Sequence, residues 1–211
     1  DVFFVISGYL ITSIILRERD SGSFTLSGFY ERRARRLLPA LFLVLACCIP
    51  FGILILTPPV FEQFALGLVG SATFSSNLLF LEAAPAYFRS ADSELNPLLH
   101  TWSLAIEEQF YLVYPLFLLL LLKFSRTALW LTLSILMMSS FLFAVDYNDT
   151  GFTFFAPHAR FWELLIGVFV AIILHERGGP LLPENRLIRQ LAPILGLLMI
   201  LVPVFLIKSF D

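Results

Sequence analysis

The stretch Asn96-Pro97-Leu98-Leu99-His100-Thr101-Trp102-Ser103-Leu104-Ala105-Ile106-Glu107-Glu108-Gln109-Phe110-Tyr111-Leu112-Val113-Tyr114 decides the fold. Its start has the signals of a helix. Asn96 is a favourable N-cap, and Pro97 suits the first helical position, where an N–H would have no intrahelical acceptor. The predicted helix runs on through Pro115 into Leu116–Leu122, a block too apolar to face water. At about 100° per residue, His100, Ser103, Glu107, Tyr111 and Tyr114 fall on one side of it. That is a polar stripe on an otherwise apolar helix. A carboxylate at membrane depth is expensive, so it faces a bundle interior or a wet cavity and marks a functional position.

The rest of the chain agrees with a membrane location. The sequence is 58% hydrophobic and only 14% charged, where a soluble domain carries about 25% charged residues. Its mean hydropathy is +0.85. The apolar residues stand in long blocks, which excludes the alternating segments of about ten residues that build a membrane β-barrel. The predicted class is therefore all-α: a polytopic transmembrane helix bundle. The net charge of −2 carries little information, and nothing in the chain has the basic pattern of a nucleic-acid binder. Cys47 and Cys48 are adjacent in mid-block and read as small packing residues, with no ligands beside them for a metal.

Seven apolar segments are predicted in chain order. The first is Val2–Leu16, with Ser7, Gly8, Thr12 and Ser13 as the small residues that let membrane helices pack closely. The second is Leu37–Leu56. The third, Phe61–Phe80, is weaker, because it holds Glu62, Gln63, Ser71, Thr73, Ser75, Ser76 and Asn77; it either spans while lining a polar cavity or is re-entrant. The fourth is the helix described above. The fifth is Ala128–Val145, the sixth about Arg160–Leu174 and the seventh Leu191–Ile207, with kinks expected at Pro193 and Pro203. Leu81–Glu94 is expected as a loop. The chain opens on Asp1 without an initiator Met, and both ends read as cuts from a longer chain.

Between the first two segments, Arg32, Arg33, Arg35 and Arg36 place four arginines within five residues. Such a cluster anchors a loop in the cytoplasm by the positive-inside rule. It can equally cradle an anion, since arginine binds phosphate bidentately; Arg33 and Arg36, at i and i+3, would share a helix face. If the third segment does not cross fully, Lys123, Arg126, Arg177, Arg186 and Arg189 also fall on the cytoplasmic side and the Asp146–Asp149 loop falls outside. If it does cross, everything after it inverts. Arg160 and Glu163, again at i and i+3, are expected to pair. His158 and His175 stand at segment ends and read as interfacial residues.

Three stretches together resemble acyltransferase family 3, the bacterial membrane enzymes that O-acetylate surface glycans. They are Asp1-Val2-Phe3-Phe4-Val5-Ile6-Ser7-Gly8-Tyr9-Leu10-Ile11-Thr12, then Phe29-Tyr30-x-Arg32-Arg33-x-x-Arg36-Leu37-x-Pro39, then Leu99–Tyr111 with its His-Thr-Trp-Ser-Leu-Ala-Ile-Glu-Glu-Gln core. Arg160-Phe161-Trp162-Glu163-Leu164-Leu165-Ile166-Gly167 is similar to a fourth block. The resemblance implies a bacterial inner-membrane, multi-pass enzyme of about ten helices of about 20 residues each, of which residues 1–211 would be a part lacking the first helix and the last ones. It implies acyl transfer, most often of acetyl from acetyl-CoA, to a hydroxyl of a lipid-linked or envelope glycan such as O-antigen. It also implies a histidine on a helix preceding Asp1, about ten residues, or roughly three helical turns, after an arginine.

A sugar hydroxyl is a weak nucleophile and needs a general base to attack a thioester; a histidine oriented by a carboxylate supplies one. The candidate catalytic residues are Glu107, His100 and Ser103. Arg33, Arg36 and Arg32 are the candidates for the phosphates of acetyl-CoA. Trp102, Glu108, Tyr111, Arg160 and Glu163 are the candidates for the substrate. Membrane lipid, the glycan acceptor and acetyl-CoA are the expected partners, with no nucleic acid and no resident metal. Two other readings stand beside this one: a glycan or lipid transporter, and an inactive membrane scaffold.

Overall fold

The computed structural model of the protein describes residues 2–87, 97–146, 150–178 and 186–207. Among these residues every regular element is a helix, as the composition requires. In chain order they are α1 (Val2–Asp20), α2 (Leu26–Ile55), α3 (Pro58–Ala72), α4 (Ser76–Tyr87), α5 (Thr101–Leu121), α6 (Arg126–Asp146), α7 (Thr150–Phe155), α8 (Pro157–Arg177) and α9 (Arg186–Ile207). Four of them, α2, α5, α6 and α8, are long and apolar enough to cross a membrane. Their outward faces carry exposed Leu, Ile and Phe, such as Leu54, Leu112 and Ile135. A bilayer-embedded bundle requires that pattern, because lipid tails solvate these side chains as well as a protein core does. The chain divides into two compact units, residues 1–172 and 173–211. The second holds α9, which runs as one helix through Pro193. The sites described below all lie in the first.

Several segments differ from their sequence-based bounds. The first helix continues past Leu16 to Asp20 and ends in a Schellman turn. Gly22 takes the left-handed conformation (φ 69°) that glycine adopts without strain. The amides of Ser23 and Gly22 then reach the carbonyls of Glu18 and Arg19 at 2.9 and 3.0 Å. The second helix begins eleven residues before the expected Leu37, because Thr25 caps it: its Oγ1 accepts from the Gly28 amide at 3.2 Å. The arginine cluster is therefore part of a 30-residue helix, about 45 Å long.

The third apolar segment is broken. α3 and α4 have 15 and 12 residues, each short of the ~20 that cross a bilayer. The break is a second Schellman turn. The Ser75 amide bonds to the Gly70 carbonyl at 2.8 Å and the Phe74 amide to the Ser71 carbonyl at 3.3 Å. Here the left-handed position is held by Phe74 (φ 54°), not by a glycine. A side chain in that conformation costs roughly 1–2 kcal/mol, so the surroundings must enforce it. They do so through Gln109 of α5, whose Nε2 donates to the Phe74 carbonyl and to Asn77 Oδ1, both at 2.8 Å. Asn77, fully buried, passes its own Nδ2–H to the Phe155 carbonyl at 3.3 Å. This amide relay ties the broken helix to α5 and α7. Residues 81–87, expected in a loop, continue α4.

α5 starts at Thr101, four residues later than Pro97 suggests. Pro97–His100 form a turn, with the Thr101 and Trp102 amides bonded to the carbonyls of Leu98 and Leu99 at 3.0 and 3.2 Å. Asn96, the expected cap, lies outside the described residues, as does most of the acidic loop 146–149. The main core joins α1, α5, α6 and α8 through Ile15, Ile106, Leu118, Leu133, Leu164 and Val168. A second core joins α2 and α3 through Leu41, Leu45 and Phe64. Of the two cysteines, Cys48 packs against that second core while Cys47 is exposed, since consecutive helical positions face different ways.

Candidate functional site

Three helices bring their polar residues to one place. α5 turns Glu107, Tyr111 and Tyr114 inward, as the stripe predicts; all three are buried. α1 meets them with hydroxyls: Ser7 bonds to the Tyr111 hydroxyl, and Thr12 Oγ1 lies 2.7 Å from the Tyr114 hydroxyl. α2 supplies Tyr30, whose hydroxyl donates to the Leu112 carbonyl at 2.7 Å, and Arg33. The Arg33 guanidinium lies 3.8 Å from the Tyr111 ring centre, and its Nη2 is 2.7 Å from Glu108 Oε1. A cation held over an aromatic face and paired to a carboxylate has its position fixed twice.

Beside this pair is a cavity of about 360 Å³, lined among others by Tyr30, Arg33, Phe74, Glu108, Gln109 and Tyr111. The helix break thus forms part of its wall. Glu107 sits behind Tyr111, beside Ser7 and Arg33, and is only 4% exposed. Its Oε1 has no hydrogen-bond partner, and neither does Arg33 Nε. Buried carboxylate oxygens and guanidinium nitrogens are almost always paired. The site is therefore prepared for a further polar group.

The other arginines of the cluster do not converge on it. The inward face of α2 carries Tyr30, Arg33, Ala34, Leu37, Leu41 and Leu45, at helical spacing. Arg36, at i+3 from Arg33, falls off that stripe and is exposed. Arg32 is also exposed, with Nη2 at 2.6 Å from Glu18 Oε2, and Arg35 pairs with Glu31 at 2.7 Å. Arg33 and Arg36 are thus neighbours one turn apart on α2, as expected, but only Arg33 lines the cavity. His100 leaves the stripe as well: it lies in the turn before α5 and is exposed, while Ser103 spends its hydroxyl on the His100 carbonyl at 3.2 Å. Neither side chain joins Glu107: His100 stands before the helix that begins at Thr101, and Ser103, inside that helix, turns its hydroxyl back to the His100 carbonyl.

A second polar cluster forms at the start of α8. Arg160 and Glu163 pair as expected, at 2.7 Å, and Glu163 is almost fully buried with Oε2 unpartnered. Arg160 lies 5.8 Å from the Trp102 ring and 5.1 Å from that of Phe154. Trp102 has Phe4, Phe154 and Phe155 as aromatic neighbours, two of them edge-on, and is itself half-buried.

Sequence reading missed Ser7 as a site residue, along with Tyr30, Phe74, Asn77 and Gln109. Ser7 carried a usable signal, since it stands in the first of the similar stretches. Tyr30 did too, standing one turn before Arg33. Phe74 carried none.

The fold and this site define a helical, multi-pass membrane protein with a buried carboxylate–arginine centre. Its sequence matches the family described as "Acyltransferase domain" over residues 1–210, and the chain belongs to that family. It is 36% identical over 181 residues to an uncharacterized protein of Haemophilus influenzae, covering 82% of this chain and 73% of the relative. It is 32% identical over 193 residues to the peptidoglycan O-acetyltransferase OatA of Listeria monocytogenes, covering 88% of this chain and 31% of that protein. No solved structure matches it.

The stretches that carry the resemblance meet in space. The first three supply Ser7, Arg33, Glu107, Glu108 and Tyr111. The first and fourth meet where Gly8 lies against the Leu164 backbone and Gly167 against that of Val5. The third and fourth meet through Phe110 and Phe161, whose rings are 5.5 Å apart.

Proposed function

We propose that the full-length protein is an O-acyltransferase of the bacterial inner membrane that moves an acetyl group from acetyl-CoA to a hydroxyl of a cell-envelope glycan. The observation that carries this reading is Glu107, buried with a free oxygen at the meeting point of three family stretches. The acceptor hydroxyl oxygen attacks the thioester carbonyl carbon, the carbon–sulfur bond breaks, and the thiolate of CoA leaves. The hydroxyl proton goes to a base. Family resemblance assigns that base to a histidine on a preceding helix, and the free Glu107 oxygen would fix its tautomer and orientation. Arg33, held by Glu108 and Tyr111, places positive charge where negative charge develops on the thioester oxygen. Exposed Arg36 and Arg32 take the donor's phosphates. The cluster of Trp102, Arg160 and Glu163 supports the acceptor side.

The test is transfer of radiolabelled acetyl from acetyl-CoA to glycan by the full-length protein in proteoliposomes. Label on the glycan is expected. Glycan translocation with no thioester consumed would instead establish a transporter, and neither activity a scaffold. The two arginines then separate by kinetics. Arg36→Gln is expected to raise the KM for acetyl-CoA by about tenfold with kcat retained, as loss of uniform binding does. Arg33→Gln is expected to lower kcat by about 100-fold or more, as loss of an oxyanion donor does. Equal, small effects from both would leave the cluster as a topological anchor.

A further inference from the structure

A larger cavity lies on the other side of Gln109. It measures about 520 Å³ and is walled by α5, α6 and α8, with Val113, Phe117, Leu136, Phe161 and Leu165 among its lining. All three helices are candidate membrane spans. Val113 is 63% and Leu136 39% exposed, so the cavity opens sideways on the surface that faces lipid.

Its hydroxyl and amide groups are already engaged, and the His158 imidazole in its lining packs edge-on to Phe143, ring centres 4.2 Å apart. Ser140 Oγ donates to the His158 carbonyl at 2.6 Å and accepts from the Trp162 amide at 2.9 Å. Ser139 donates to the Leu136 carbonyl at 3.0 Å, and Gln109 is committed to Phe74 and Asn77. Water finds few partners in such a space. A packed helix, about 10–12 Å across with its side chains, would fill it with roughly one turn. A hydrocarbon chain is narrow and flexible enough to lie along it. Gln109 lines both this cavity and the one beside Arg33 and Glu108.

We propose that this cavity seats the hydrocarbon tail of a lipid-linked acceptor, whose glycan head reaches the Arg33–Glu108 cavity next to it. The proposal rests on the acyl-transfer reading for the identity of the head. The bilayer is as apolar as the cavity, so the tail gains little from burial. It gains a fixed place, which raises the effective concentration of the attached hydroxyl at the reacting centre.

The experiment uses the full-length protein in vesicles of phosphatidylethanolamine and phosphatidylglycerol, with a trace of polyprenyl phosphate bearing a diazirine in its tail. After illumination, adducts are mapped by mass spectrometry. Label is expected on the peptides of Val113, Leu136 and Leu165, at least fivefold above that on the lipid-facing Leu54 of α2. Leu136→Trp and, independently, Ser139→Trp fill the cavity and are expected to remove the excess while leaving the α2 label unchanged; that unchanged label also reports correct insertion. Equal labelling of both regions, displacement of the probe by bulk phospholipid, or an excess that survives both substitutions would overturn the proposal. The readout needs no acyl transfer, so failure of the acetyl assay leaves this result separately interpretable.

Discussion

Glu107→Gln in the full-length protein is expected to reduce acetyl transfer by about four orders of magnitude while leaving insertion and folding intact. The substitution keeps the size and shape of the side chain, removes its charge and turns one acceptor oxygen into an NH2 donor. In the structure that charge is costly. Glu107 is buried, its Oε1 is unpartnered, and the nearest guanidinium, Arg33, directs its Nη2 to Glu108. Ser7 and Tyr111 hydrogen-bond to the carboxylate, yet one oxygen is left over, and a protein that keeps a part-satisfied carboxylate in such a place has a use for the charge. The same geometry argues against a purely structural ion pair, because a structural carboxylate would hold Arg33 directly, as Glu108 does. Amide replacement of an orienting carboxylate in a base–carboxylate pair costs on the order of 10⁴-fold in kcat, mainly through the wrong tautomer. The check is the labelled-acetyl assay, with monodispersity in detergent as the measure of folding. Near-normal turnover by a folded Glu107→Gln protein would remove Glu107 from the chemistry. A protein that fails to fold would instead identify it as a structural residue.

What made this site legible was periodicity. Glu107, Tyr111 and Tyr114 fall on one side of any helix drawn through 101–121, and that helix is apolar enough to be certain. Composition alone gave the class, because no soluble core needs so many apolar residues in unbroken blocks. The first turn was legible for a similar reason: Gly22 is the residue a left-handed position selects. The second turn was hidden because Phe74 occupies the same backbone position with no glycine to announce it, and what enforces it there is Gln109, far away in sequence. The arginine cluster was read correctly as charge, but its spacing did not say which arginine lines the cavity. Spacing of i and i+3 places two side chains near each other, but the direction of the stripe on α2 is set by Leu37, Leu41 and Leu45, and Arg36 lies outside it. His100 was lost to a helix boundary, the feature that local sequence determines least. In each of these cases tertiary contacts decided what local preference left open.

The second large effect concerns the crossing of α1 and α8. A Cβ added at Gly8 would lie 2.0 Å from the Leu164 carbonyl oxygen, and one added at Gly167 would lie 2.0 Å from that of Val5 and 2.5 Å from the Tyr9 amide nitrogen. These are backbone atoms of the opposite helix, so no side-chain rotation relieves the clash; the helices must separate. Small residues at such crossings replace the hydrophobic drive that a bilayer does not supply. Gly8→Ala and Gly167→Ala are each expected to destabilise the bundle by about 3 kcal/mol, the upper end for overpacking a close contact, which corresponds to a fall in Tm of roughly 6–12 °C for a chain of this size. The loss reaches the site, because Ser7 and Thr12 flank Gly8 on α1 and bond to Tyr111 and Tyr114. As α1 moves away, Tyr111 loses one of the contacts that hold it against Arg33, and transfer falls together with stability. Gly196→Ala in α9 is the control. A Cβ there meets nothing within 4 Å, and alanine is the better helix former by up to about 1 kcal/mol, so its Tm is expected to hold or rise slightly. Thermal unfolding in detergent, followed by tryptophan fluorescence, reads all three. A Gly8→Ala protein as stable as the parent would mean that α1 and α8 do not cross at this distance and that α1 does not hold Tyr111 in place.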